Sequence, residues 1–239
     1  MIQHHLLKLR ARNDVSADEE RVLRGMARDP RNVAADTRII RAEEPLNSST
    51  LLLEGIACRF KDMKNGERQI TELHVAGDFV DLHSFTLKRL DHDIMTLTPC
   101  RIASIRHDDL KTLTEDFPHL TRLYWFGTNL DAAIHREWEL SLGRRSALAR
   151  LAHLFCELYV RLDIVRLTDG LSYDLRLTQT DLAECLGLTP VHVNRTLKEL
   201  REGGLLEFRG GKVNILDWEE LKRVAEFNPS YLYLEKRSR

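Results

Sequence analysis

Val191, His192, Arg195 and Lys198 recur at spacings that place them on one face of a helix, with Asn194 and Glu199 at its margins. An aliphatic group, an imidazole and two cations side by side, with an amide near by, can meet base edges and the phosphates around them. A second pair of cations, Arg209 and Lys212, brackets Gly210 and Gly211 a short way downstream. Two glycines between two short apolar runs predict a tight hairpin, here a basic one.

The elements that must hold these side chains are legible over residues 177–211. Thr178 followed by Asp181 is an N-cap signal, and Leu182, Ala183 and Leu186 give the helix it starts one apolar face, ended by Gly187. Thr189 caps a second helix, Pro190 occupies its first position, and Val193, Leu197 and Leu200 form its inward stripe. Gly203 and Gly204 close it. The order of helix, tight turn, helix and basic hairpin predicts a winged helix-turn-helix. A helical hairpin whose ribbon serves only packing is the competing reading. Two caps, a Leu-Gly-Leu turn and a basic hairpin within about 35 residues favour DNA binding over it.

Composition bounds the rest. The 239 residues, 43% apolar and 31% charged, suit one large or two ordinary globular domains. A formal net charge of −1 excludes a protein that coats nucleic acid nonspecifically, so DNA affinity must come from local patterning. Cys58, Cys100, Cys156 and Cys185 are scattered without metal-ligand spacing, and none of His74, His83, His92 and His107 has a suitably spaced partner. Neither metal nor haem is expected, and no cofactor is implied. No apolar run is long enough to span a membrane and the start lacks a signal-peptide core, so the chain reads as cytoplasmic. The nucleophile, paired-carboxylate and phosphate-loop motifs of an enzyme are missing from the sequence.

Taken in order, Ser16 and Glu19 form a capping box for an entry helix that ends before Asp29-Pro30. Residues 38–41, 50–54, 56–61, 69–75 and 94–105, the last broken by Pro99, read as short strands separated by turn residues, which suggests an antiparallel sandwich or barrel. The period turns helical at Asp108, and residues 119–142 predict one long helix. Along it Leu120, Leu123, Gly127, Leu130, Ile134 and Trp138 recur almost as a coiled-coil seam, read here as a parallel homodimer interface, with burial on the chain's own domain as the other reading. Gly143-Arg144-Arg145-Ser146 marks a boundary, followed by an amphipathic helix, a ribbon formed by residues 164–167 and 174–177 around a loop, and, after the wing, a helix capped by Asp217.

A β-rich first half, one long helix, then GRRSALARLAHLF and LTQTDLAECLGLTPVHVNRTLKELREGGLL resemble the Crp-Fnr family of bacterial transcription regulators across nearly the whole chain. The resemblance implies an α+β fold: a cyclic-nucleotide-binding-like antiparallel β-roll over residues 1–116, a dimerisation helix over 117–142 and a winged helix-turn-helix over 143–239. It implies a homodimer that reads a two-fold symmetric site on double-stranded DNA and that meets RNA polymerase. Thr178, Gln179, Thr180 and Thr189 would then hold phosphates, for which helix N-termini offer N–H groups and positive potential, while Val191, His192 and Arg195 face bases. Val191 stands where the family's commonest reading helix has a glutamate. A valine cannot accept from cytosine but can contact a thymine methyl, so the preferred half-site should differ.

The resemblance also locates an effector pocket at Gly77, Asp78, Leu82, His83, Ser84, Arg89 and Asp91, and there the chain departs from the pattern. Leu82 replaces the glutamate that takes the ribose hydroxyl, and Leu90-Asp91 falls where an arginine and a hydroxyl residue neutralise the cyclic phosphate; only a shift of one residue would bring in Arg89. An aspartate facing a phosphate is repulsive, which argues against cyclic AMP. No cysteine precedes Cys58 to hold the iron–sulfur cluster of the oxygen-sensing branch. Another small molecule, a partner protein, or a scaffold without effector remain open, as does a β-roll binding protein whose DNA role is lost or secondary.

Overall fold

The computed structural model describes residues 1–237. Helix α1 (Gln3–Arg10) has no capping side chain and is held by burial of Ile2, Leu6 and Leu9. Helix α2 (Ala17–Met26) starts on the predicted box, Ser16 accepting from the Glu19 N–H while the Glu19 carboxylate accepts from the Ser16 N–H. Two antiparallel sheets follow. One runs β1 (Arg28–Val33), β7 (Cys100–Arg106), β3 (Ser48–Glu54); the other runs β2 (Arg38–Ile40), β6 (Asp93–Thr96), β4 (Ala57–Asp62), β5 (Arg68–His74). Ile40, Leu52, Ala57, Ile94 and Ile102, drawn from both sheets, share one core. β1 was not foreseen. Pro30 sits in it, accommodated because the strand lies at the sheet edge and its register slips between Arg28 and Arg31.

A short α3 (Ser84–Leu87) lies between β5 and β6, and α4 (His107–Asp116) leads into α5 (Pro118–Arg144). The seam read from α5 needs correction: Leu120, Leu123, Leu130, Ile134 and Trp138 are all buried within the single chain, with Gly127 half-buried among them. Leu120 and Leu123 pack with α1, α2, α4 and the first sheet, whereas Leu130, Ile134 and Trp138 pack with β4, β5 and the C-terminal half. The face of α5 left in water carries Arg122, Trp125, Asn129, Ala132, Arg136, Glu139, Leu140 and Gly143.

The last third comprises α6 (Ala147–Ile164), β8 (Thr168–Asp169), β9 (Ser172–Asp174), α7 (Gln179–Leu186), α8 (Pro190–Glu202), β10 (Leu206–Arg209), β11 (Lys212–Ile215) and α9 (Trp218–Val224). The ribbon strands lie inside the stretch read as a loop, because α6 continues to Ile164 and a turn at Gly170 joins β8 to β9. β9 then pairs with β11, so the wing is two strands of a four-stranded sheet.

The two halves share one apolar core, which runs from Phe60 and Ile70 of the second sheet to Leu182 and Val193 of the helix pair. Polar groups fasten it. Arg161 donates to Asp78 (2.9 Å), the Leu73 carbonyl (2.7 Å) and Glu157 (3.0 Å), and Glu157 also accepts from Trp138 (3.2 Å) and Tyr231 (2.8 Å). Residues 228–237 return to the beginning of the chain: Arg12 donates twice to the Leu232 carbonyl, and Lys236 pairs with Asp14 at 2.5 Å.

Candidate nucleic-acid interface

The helix pair is built as its caps dictate. At α7 the Thr178 hydroxyl accepts from the Asp181 N–H, and the Asp181 carboxylate takes the N–H and hydroxyl of Thr178. Thr178 is thereby committed to its own helix. What α7 still presents at its start are the exposed Gln179 and Thr180, whose N–H groups precede the first intrahelical bond. Gly187 ends α7 in the left-handed conformation that a Cβ disfavours. The last carbonyls of α7 are capped from outside: Gln69 of β5 donates to Glu184 (2.8 Å), and Arg150 of α6 donates to Leu186.

Thr189 accepts from the His192 N–H and starts α8. Val193, Thr196 and Leu200 are buried, with Leu197 partly so, and the opposite face points to water. There Val191 is 81% exposed, Asn194, Arg195 and Lys198 are exposed, and His192 is half-buried. Lys198 pairs with Glu202 at 3.6 Å, a surface contact that a phosphate can displace. In the wing, Arg209 and Lys212 are directly opposed at the end of the hairpin, and Gly210 and Gly211 both have positive φ, as a two-residue turn of this hand requires. An apolar side chain left in solvent one turn from an arginine, on a helix anchored by its other face, is the geometry of a helix that enters a groove.

A cleft of about 380 Å³ opens between the second sheet and α5, lined by Arg59, Lys61, Thr71, His83, Asp91, His92, Thr128, Asp131, Ala132 and His135. Arg59 is the buried centre, donating to the Val80 carbonyl (2.9 Å), Glu72 (2.6 Å) and Asp131 (3.1 Å). Burial would raise the Glu72 carboxyl, but Arg59, His74 and His135 outweigh it and hold it well below the usual range. The neighbouring Asp131 is pushed up to about 6, by burial first and by Glu72 second. Hydrogen bonding to Glu72 raises His135, which lies 3.0 Å from that carboxylate. Burial lowers His83 to about 3, so its ring is neutral at pH 7.

Comparison with known proteins bears on both sites. A model of the cyclic nucleotide-binding domain matches residues 30–117, and a model of the Crp-like helix-turn-helix domain matches residues 149–224, together more than half of the chain. The chain belongs to the Crp-Fnr family. Within that family it is 27% identical over 201 residues to the transcriptional activator protein FnrL of Cereibacter sphaeroides, covering 82% of this chain and 79% of the relative. It is 28% identical over 197 residues to a probable transcriptional activator of Rhizobium leguminosarum, covering 81% and 80%. The structure of FixK2 from Bradyrhizobium japonicum superposes with a TM-score of 0.75 over 83% of this chain and 96% of that one, at 22% identity. The Crp-Fnr fold is therefore a β-roll followed by a winged helix-turn-helix, and this member is a transcription regulator rather than an enzyme.

Against the Crp-Fnr pattern, only His83 and Asp91 of the seven expected effector positions line the cleft. Gly77 and Asp78 lie elsewhere, the Gly77 carbonyl bonded to His5 (2.8 Å) and buried Asp78 paired with Lys8 (2.5 Å) and Arg161. Leu82 packs with the core of the first sheet, and Ser84 is buried against Ser49 and His107. Arg89 is exposed beside Glu43 at 3.6 Å and does not line the cleft. Asp91 is paired with Lys61 (2.6 Å) and His92 (2.8 Å). Sequence reading missed Arg59, Asp131 and His135. A charged residue inside the apolar run of β4 was the one available signal for Arg59. The α5 residues gave none, because their partners sit some 70 positions away.

Proposed function

We propose that this Crp-Fnr regulator acts as a homodimer that reads a two-fold symmetric DNA site with α8, and that it does not take cyclic AMP in the usual manner. The observation that carries the reading is the outward face of α8, where Val191 is 81% exposed beside His192 and Arg195 while Val193, Thr196 and Leu200 anchor the helix. Val191, His192 and Arg195 are assigned to base edges, and Asn194 and Lys198 to the groove margin. Gln179, Thr180, Thr189, Arg209 and Lys212 are assigned to phosphates. Residues 1–116, 117–142 and 143–239 serve as sensor, connecting helix and reader. The working place is the cytoplasm, with RNA polymerase as the further partner.

The homodimer is assigned to the exposed face of α5, not to the buried seam. Arg122, Trp125, Asn129, Ala132, Arg136, Glu139 and Gly143 recur at alternating spacings of three and four, the pattern of a two-helix seam. Cyclic AMP fits the cleft poorly because Asp91 and Asp131 face it, and Arg59 already neutralises two carboxylates.

Binding to a half-site library at two salt concentrations tests the reading of DNA. Arg195→Ala is expected to lose about 1–3 kcal/mol per half-site at one base pair and to relax preference there. Arg209→Ala should weaken all sequences alike and reduce the salt slope by about one. Uniform loss in Arg195→Ala would refute base reading by α8. Calorimetry with cyclic AMP should show no saturable heat at micromolar concentration; a low-micromolar dissociation constant would mean that the cleft rearranges around the phosphate.

A further inference from the structure

We propose that the C-terminal segment 228–237 belongs to the surface on which a second copy of this chain docks, with Trp125 of each copy seated against a groove that Phe126 and this segment form on the other. The proposal rests on the homodimer reading above and adds to the seam a wall that the long helix alone does not supply.

Trp125 is 68% exposed, a large apolar side chain standing in water at the second position of the 3,4-spaced stripe. In a parallel helix pair each such side chain fits among four residues of the facing helix, and for Trp125 these include the position one further along, 126. Phe126 does not stand alone there. It meets Tyr233 edge to face, with ring centroids 6.2 Å apart and planes at 84°. Together with Pro229 and Leu234 these rings floor a groove of about 690 Å³ whose rim includes Glu235 and Arg237. An apolar floor with a polar rim is the make-up of an interface patch.

The groove is held open by the chain itself. Tyr233 has φ of +48°, a conformation that a bulky residue keeps only where its surroundings impose it. Arg12 grips the Leu232 carbonyl on one side, and Lys236 pairs with Asp14 on the other. The segment is pinned at both ends, while Tyr233 and Leu234 between the pins remain 50% and 38% exposed. A second copy is the occupant because Phe126, the α5 residue on the groove's floor, is next to Trp125 of the stripe, so that a helix seated on the stripe comes up to the groove.

Sedimentation equilibrium on the full chain tests this with three variants. Tyr233→Asn combined with Leu234→Ser changes half-exposed side chains and keeps a residue that tolerates the left-handed backbone; it should weaken dimerisation about tenfold or more. Trp125→Ala should do the same, and the two changes together should cost much less than the product of their separate effects, since both remove one contact. Leu216→Ser, an exposed apolar residue of the reader half, should stay within about twofold of wild type. A Tyr233→Asn/Leu234→Ser chain that dimerises like wild type overturns the proposal, as does an equal loss in Leu216→Ser. A wild-type chain that is monomeric throughout overturns the homodimer reading and this one with it, so the two failures are distinct.

Discussion

His153 shows how a single buried ring ties stability to pH. It is 3% exposed at its side chain, stacks on Tyr231, and is lowered to about 4 by burial and then by Arg145. Below its ordinary value of 6.5 the unfolded chain takes up a proton that the folded chain refuses until about pH 4. Stability is therefore lost as pH falls through that window, at up to about 1.4 kcal/mol per pH unit. Asp81, raised by burial to about 7, and Asp131 act with the opposite sign, since the folded chain binds their protons first. The clean measurement is a difference: urea unfolding of wild type and His153→Gln between pH 7 and 4 should show wild type losing stability faster. Parallel lines would mean that the ring is accessible to protons in the folded state.

At the scale of elements, α5 teaches what a pattern does and does not say. An apolar residue every three or four positions reports that a helix has a face to bury, not whose surface buries it. Leu130 and Ile134 are buried against their own chain, so Leu130→Ala should cost about 2–5 kcal/mol in urea unfolding and leave the association of the still-folded fraction unchanged. If Leu130→Ala instead dissociates a stably folded chain, the seam is intermolecular after all. By contrast α7, α8 and the wing were legible almost to the residue, because caps, a Thr-Pro start and paired glycines are local signals. Helix α1 and strand β1 were not legible. The first lacks a cap and is held by burial; the second contains a proline, is almost wholly exposed and is held by its pairing with β7. The cleft was hidden for a related reason: Arg59 and Asp131 meet only after the sheet has folded onto α5.

Across the whole molecule, Arg161 is the joint between the halves. Buried and bonded to Asp78, Glu157 and the Leu73 carbonyl, it links α6 of the reader half to the first half. Removing it leaves two carboxylates with less charge to face in a dry site, for which a loss of about 3–5 kcal/mol is expected. Arg161→Ala should also split one calorimetric transition into two, as each half loses its hold on the other. A single transition with unchanged midpoint would show that the shared apolar core is sufficient.

The grip of Arg12 on Leu232 also has a bearing on time. It joins positions 220 residues apart. A ribosome must pass Leu232 before the segment after α1 can acquire this neighbour. Closing so large a loop adds little equilibrium cost per residue but delays the event, since long-range contacts form late. The nascent first half can assemble its sheets while its opening helix still lacks one wall of its seat, which arrives only once Leu232 has emerged.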